Sequence, residues 1–201
     1  MIDLKQYIDS IDLILLQNST LQPWEVLEHL ERILAAHIAT LGNDYVIENN
    51  IAIHKTATIE EGVTLKGTII ISENCFVGAH AYLRGAIFLS NSVTIGPSSE
   101  IKQSIIADHS AVAHFNFIGN SILGQYVNFE AGSLCANHYN ERQDKRIMVK
   151  HKNQMIDTKT EKFGALVGDH SKIGANAVLS PGTILEPFSV VKRLELVEQV
   201  K

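Results

Sequence analysis

The sequence predicts a mainly β chain, a parallel β-helix of hexapeptide repeats carrying an N-terminal α-helical segment, and three observations carry that prediction. The first is a period of six. Ile53, Ile59, Leu65, Ile71, Val77, Leu83, Leu89, Ile95 and Ile101 follow one another at that spacing. A single five-residue step leads to Ile106, the register continues through Val112 and Ile118, and it returns at Val167, Ile173, Leu179, Leu185 and Val191. Such a period fits neither a helix nor a simple alternating strand over this length. The second observation is that the positions four residues on are small or β-branched: Ala57, Val63, Ile69, Cys75, Ala81, Ile87, Val93 and Ser99. Each short strand then forms one wall of a triangular prism, and each aliphatic side chain stacks on its counterpart one coil away. The third is where the rhythm fails. It is absent before about residue 42 and from Leu134 to Leu166. The chain therefore divides into a helical cap (1–45), a β-helix (46–192) with an insertion at 134–166, and a C-terminal tail (193–201).

The elements follow in order. Ile2, Leu4, Tyr7, Ile8, Ile11 and Leu15 suit one amphipathic helix, which the stretch Gln17 to Gln22 breaks. Pro23 suits the first turn of a second helix, whose apolar positions Val26, Leu27, Leu30, Ile33, Leu34, Ile38 and Leu41 recur at three and four residues. Gly42 and Asn43 end it. These helices are expected to cap the open first coil. The insertion concentrates positive charge at Arg142, Lys145, Arg146, Lys150, Lys152, Lys159 and Lys162. Its stretches 146–149 and 154–158 flank Lys150-His151-Lys152-Asn153 and read as a small hairpin. It is expected to be mobile without ligand and to close over an anion.

Composition narrows the function classes. The 201 residues carry a net charge of −5, which argues against binding nucleic acid or anionic membrane through bulk electrostatics. Cys75 and Cys135 give no disulfide framework, and Cys75 holds a small inward position that suits a buried thiol. No basic-then-apolar leader and no membrane-length run is present, so a cytoplasmic protein is expected.

Read whole, Ala113 to Asn137, AHFNFIGNSILGQYVNFEAGSLCAN, resembles the acetyltransferase domain of the bacterial bifunctional N-acetylglucosamine-1-phosphate uridylyltransferase. It resembles still more the carboxy-terminal β-helix of archaeal sugar-1-phosphate nucleotidylyltransferases. The shared residues are His114, Gly119, Gly124, Asn128, Ala131-Gly132-Ser133 and Ala136-Asn137, then Lys162-Phe163-Gly164-Ala165 before Gly168-Asp169. The resemblance, which covers about residues 69–191, implies a left-handed β-helix of the hexapeptide-repeat acyltransferases. It also implies roles. His114 matches the general base, and Arg84 and Lys102 the cationic contacts to the sugar phosphate. Phe117, Asn128 and Asn137 line the amino sugar, and Lys162 closes on it from the insertion. Ala131, Ala175 and Lys192 lie on the side of acetyl-CoA, the acyl donor. The implied assembly is a homotrimer with the site between neighbours, and acetyl transfer needs no metal.

The residue types suit that chemistry in their own right. An amine attacking a thioester must shed a proton, and an imidazole with a pKa of about 6.5 can take it near neutral pH. Phosphate oxygens call for arginine and lysine. Backbone N–H groups among Ala131-Gly132-Ser133 can meet a developing oxyanion. The expected reaction is acetyl-CoA-dependent N-acetylation of a hexosamine 1-phosphate, glucosamine or galactosamine. No glycine-rich nucleotide loop precedes the repeats, so nucleotidylyl transfer is expected from a separate polypeptide. The chain departs from the family where Phe117 replaces a tyrosine and Ala175 a serine, and where it ends a coil or so early, without a late arginine; Lys192 and Arg193 are candidates to stand in for it, but a charged, solvated tail is the favoured reading of that end. Two other readings remain. One is a non-catalytic sugar-phosphate-binding or scaffolding β-helix. The other is a γ-class carbonic anhydrase-like metal enzyme, in which His109 and His114 are five residues apart but Ala86 replaces an aspartate.

Overall fold

A computed structural model describes residues 1–9 and 20–200; of the expected first helix, only a short 3-10 turn, Leu4–Gln6, is seen there, and Ile11 and Leu15 lie outside the described residues. The chain winds into a left-handed parallel β-helix of three walls. The first wall is built from Ile51–His54, Ile69–Ile71, the ends of Tyr82–Leu89 and Glu100–Ile106, Ile122–Leu123, Ala165–Val167 and Thr183–Leu185. The second holds Thr58–Ile59, Phe76–Val77, Thr94–Ile95, Ala111–Val112, Asn128–Phe129, Lys172–Ile173 and Val190–Val191. The third holds Thr64–Lys66, the starts of Tyr82–Leu89 and Glu100–Ile106, Phe117–Gly119, Leu134–Cys135, Val178–Leu179 and Leu196–Val197.

The six-residue aliphatics point inward and stack. On the third wall Leu83, Ile101, Ile118, Cys135 and Leu179 form one buried column. The five-residue step marks a shortened coil: Ile71 pairs with Leu89, but Leu89 pairs with Ile106, one residue fewer along the chain. Both cysteines are free and buried, and burial pushes the Cys75 thiol up to about 11 and Cys135 to about 12. Residues after 192 are not a tail. Leu196–Val197 pair with Val178–Leu179 and extend the third wall by a coil.

The helical segment does not close the end of the prism. It lies along the outside of the first wall, because that wall is apolar on both faces. Its outward residues Ala52, Ile70, Phe88, Ile105, Ile122, Leu166 and Ile184 are buried against Ile2, Leu4, Tyr7, Ile8, Trp24, Leu27, Leu30 and Leu34. The expected second helix breaks at His29 into α1 (Pro23–Glu28) and α2 (Leu30–Ile38), and ends before Gly42. Glu25 Oε2 accepts from the Gln22 backbone at 2.7 Å and fixes the start of α1. Instead of the helices, a β-hairpin covers the first edge. β1 (Tyr45–Glu48) pairs antiparallel with β2 (Ile51–His54) through Asn49 and Asn50, with φ of 48° and 64°. That is the two-residue turn whose twist suits a hairpin.

The insertion is packed, not a free lid. Met148–His151 and Gln154–Asp157 form the expected hairpin around Lys152-Asn153. It lies on the late coils of the first wall, with Ile147, Val149 and Phe163 fully buried. Phe163 meets Trp24 edge to face at 5.7 Å, and the Tyr139 hydroxyl donates to Pro181 O at 3.1 Å. The N-terminal residues bind the same region: Tyr7 OH donates to Glu186, and Asp9 N to Asp169.

His151 sits beneath this layer, 9% exposed, with its Nε2 making no hydrogen bond. Burial, then Lys152 and the N-terminus, hold its pKa below the ordinary histidine value. Below the unfolded value of about 6.5 the unfolded chain takes up a proton that the folded imidazole refuses. Stability is therefore expected to fall as pH drops through about 6.5, levelling only below the lower folded pKa. Urea unfolding of wild type and His151→Gln across pH 5 to 8 checks this. The variant should show a shallower dependence, and parallel curves would remove His151 as the cause.

Candidate functional site

The third wall and the corner that follows it bring Arg84, Lys102, Phe117 and Asn137 into one region. The wall's outward positions at the edge shared with the first wall run Lys66, Arg84, Lys102 and Gly119 in strict register over successive coils. Arg84 and Lys102 are therefore neighbours, as expected, and Lys66 extends their row by one coil. The cleft along this row, about 400 Å³, is lined by Lys66, Gly67, Tyr82, Arg84, Gly85, Lys102 and Gln103. Arg84 is paired with Glu100 at 2.6 Å and lies 5.9 Å from the centre of the Tyr82 ring. Among the described residues no carboxylate forms an ion pair with Lys102. Burial, then the charges of Lys162 and Arg84, hold its pKa below the ordinary lysine value, while Glu100 opposes the shift. The charge of Lys162, near the end of the insertion, thus acts on Lys102 although the hairpin packs elsewhere. A positive field without its counter-charge is what a phosphate dianion relieves.

The next coil changes character. Gly119 has no side chain, and a Cβ there would meet the Phe117 ring at 2.6 Å and the Asn137 amide carbon at 2.9 Å. Both groups therefore close over bare backbone just beyond Lys102. Asn137 is buried, donates to Asn120 Oδ1 at 2.6 Å, and lies 3.2 Å from His138 Nδ1. Its carbonyl accepts from Phe163 N at 3.1 Å, which ties the end of the insertion beside the wall.

His114 stands apart on the edge between the second and third walls. It is exposed, and its ring lies 5.8 Å from that of Phe115. Ala131 and Ala175 continue this edge in the following coils: Gly132 N donates to His114 O, Asn176 N to Ala131 O and Leu194 N to Ala175 O, each at 3.0 Å. Asn128 and Lys192 fall on the second wall, in another open cleft of about 510 Å³ with Glu130, Lys172 and Arg193. Arg193 is not loose there. It donates to Glu130 at 2.8 and 2.9 Å, and Ala175 N donates to the same carboxylate at 2.9 Å. Those bonds, Arg193 first, hold the Glu130 carboxyl below its ordinary value.

One chain therefore does not gather the whole predicted set. Arg84, Lys102 and Phe117 lie on the third wall, Asn137 just past its strand Leu134–Cys135, and Lys162 in the insertion; Asn128 and Lys192 face outward from the second wall; His114, Ala131 and Ala175 mark the edge between second and third. Sequence reasoning missed Lys66, Lys172 and Glu130. Lys66 was accessible to it, since it precedes Arg84 by one full coil. His109 and His114 are not brought together, because His109 lies on the opposite edge of the second wall, stacked on Tyr126 at 4.8 Å. Among the described residues no group of three His, Cys, Asp or Glu side chains is placed to hold a metal ion, and no helix is long and apolar enough to cross a membrane.

The chain is similar to known proteins. The chain is 45% identical over 175 residues to the bifunctional protein GlmU of Methanococcus maripaludis strain C7, covering 84% of this chain and 41% of that protein. It is 32% identical over 90 residues to a bifunctional sugar-1-phosphate nucleotidylyltransferase/acetyltransferase of Sulfurisphaera tokodaii, covering 45% of this chain and 22% of that one. The chain thus spans less than half the length of either relative. Among solved structures, a UDP-N-acetylglucosamine acyltransferase from Campylobacter jejuni superposes with a TM-score of 0.43 at 19% identity, over 73% of this chain and 60% of that one. The family profile of the GMPPB C-terminal domain matches residues 46–157, more than half of the chain and most of the coils described above. The protein belongs to that family, as a hexapeptide-repeat domain of the acetyltransferase-like β-helix type.

Proposed function

We propose that the chain is an acetyl-CoA-dependent N-acetyltransferase acting on a hexosamine 1-phosphate, working in the cytoplasm as a homotrimer. One observation carries the reading. Lys102 lies beside the Arg84–Glu100 pair, feels the charge of Lys162, and is one coil from Gly119, over which the buried amide of Asn137 closes, while His114 stands on that wall's other edge. A sugar phosphate laid along the wall puts its phosphate at the cations and its ring against Phe117 and Asn137. His114, exposed and unencumbered, takes the amine proton as the amine attacks the thioester. Acetyl-CoA runs along the edge of Ala131 and Ala175, where small side chains admit it closely, and Lys172 and Lys192 meet its phosphates. The reaction needs no metal. Asn128 faces away from Arg84 in one chain, so the second wall of one copy must meet the third wall of another to complete the site. A nucleotidylyltransferase uses the product.

The test is thiol release from acetyl-CoA over a panel of hexosamine 1-phosphates, with light scattering on the same samples. The reading expects amine-dependent release and a trimer. No release with any amino sugar phosphate leaves the non-catalytic binding reading, and a monomer at micromolar concentration removes the shared site.

The Arg84–Glu100 pair makes the binding variants unequal. Lys102→Ala removes one cation and should raise the sugar-phosphate KM by about tenfold. Arg84→Ala also leaves the Glu100 carboxylate uncompensated beside the phosphate, so its KM should rise further, by roughly 10²-fold. Adding Glu100→Gln to Arg84→Ala should recover part of that loss. Steady-state kinetics on the four enzymes decides it; equal KM values for the two single variants would deny the pair its role.

A further inference from the structure

We propose that Glu130 sets the affinity for the acyl donor: its carboxylate straps Arg193 across the donor's path, and a phosphate of the donor must displace it to bind. This rests on reading the edge of Ala131 and Ala175 as the route of acetyl-CoA. Glu130, Gly174 and Lys192 follow the paired strands Asn128–Phe129, Lys172–Ile173 and Val190–Val191, so they hold one corner position in three successive coils. Arg193 comes one residue later, two coils from Glu130. Adjacent strands are about 4.8 Å apart, so the two backbones stand roughly 10 Å apart. Their side chains close that gap over the middle coil. Arg193 Nε and Nη2 donate to Glu130 Oε2 and Oε1 at 2.8 and 2.9 Å, and Ala175 N donates to Oε2 at 2.9 Å. A Cβ on Gly174 would lie 2.5 Å from Arg193 N, so the corner beneath the strap is bare backbone.

The strap covers what a donor would use. The Ala175 N–H, a hydrogen-bond donor on that route, is already given to Glu130. Glu130 is also the one carboxylate lining the second-wall cleft, where Lys172 and Lys192 make no ion pair among the described residues. The cleft thus presents two free cations and a third, Arg193, neutralised in place. Glu130 is held by its backbone and free at its tip. Its N donates to Ile173 O at 2.8 Å, and its O accepts from Asn116 Nδ2 at 2.8 Å and Ser133 Oγ at 2.6 Å. The side chains of Glu130 and Arg193 are 37% and 73% exposed. An exposed pair of this kind is weak, whereas a phosphate carries more charge and meets the same guanidinium with two parallel bonds. Exchange therefore favours the donor, but its apparent affinity is scaled by the fraction of molecules in which the strap is open.

Titration calorimetry with coenzyme A tests this on wild type, Glu130→Gln, Glu130→Asp, and Glu130→Gln combined with Arg193→Met, with circular dichroism confirming the fold of each. Glutamine keeps the length and loses the charge. Aspartate keeps the charge but is one methylene too short for the reach over two coils. Both single variants should bind coenzyme A about three- to tenfold more tightly than wild type, and adding Arg193→Met should take that gain back. Tightening by Glu130→Gln alone would mean that the carboxylate merely repels the donor, and would overturn the strap. A gain that survives Arg193→Met would overturn the exchange at Arg193. Unchanged or weaker binding in both single variants would also overturn the proposal, making Glu130 a prop for the edge and leaving the donor route intact. Coenzyme A binding to none of the four proteins would overturn this inference and the donor route together.

Discussion

Replacing His114 with alanine is expected to cut turnover by roughly 10²- to 10⁴-fold, the usual worth of a positioned general base. The fold should survive, because His114 is exposed at a prism edge and its backbone carbonyl, which Gly132 N uses, remains. The loss should fall on kcat more than on KM, since the phosphate contacts lie on the third wall away from this edge. Steady-state rates with saturating acetyl-CoA, alongside circular dichroism, give the comparison. A variant with wild-type turnover would take His114 out of the reaction.

Phe163→Ala should carry the largest stability cost. The ring is fully buried, meets Trp24 edge to face at 5.7 Å, and joins the insertion to the helical layer over the first wall. Truncating such a ring costs about 3–5 kcal/mol, a large part of the marginal stability of a domain. It should also loosen Lys162, the preceding residue, and so weaken sugar-phosphate binding at the intact Arg84 and Lys102. Phe163→Leu should recover much of the stability. Urea unfolding measures it, and a change under about 1 kcal/mol would mean that the insertion is not anchored there.

How much of this was legible in the sequence depends on which face of a strand the repeat reports. The six-residue aliphatics mark inward positions, so the walls, the shortened coil at Ile106 and the stacking of Leu83 on Ile101 could all be read from spacing. The covering of the first wall could not, because its signal lies in the residue between two repeat positions. Ile69-Ile70-Ile71, Ile87-Phe88-Leu89 and Ala165-Leu166-Val167 are continuous apolar runs, the mark of strands buried on both faces. Those runs explain why the apolar N-terminal segment lies along the wall and not across the prism end. The site divides in the same way. Arg84 and Lys102 are one coil apart and had to be adjacent, whereas Asn128 and Asn137 look equivalent until each is assigned a wall. The charged insertion read as a lid because Ile147, Val149 and Phe163, its three anchors, are scattered among lysines.

Thiol release alone does not separate transfer from hydrolysis, so the decisive measurement follows the acetyl group itself. The chain is incubated with isotopically labelled acetyl-CoA and glucosamine 1-phosphate, and the sugar is analysed by mass spectrometry for a labelled amide at the amine. The account predicts labelled N-acetyl sugar phosphate with wild type and its near-absence with the His114→Ala variant. Label that stays on coenzyme A, or leaves it as free acetate at the same rate with and without the amino sugar, would contradict it.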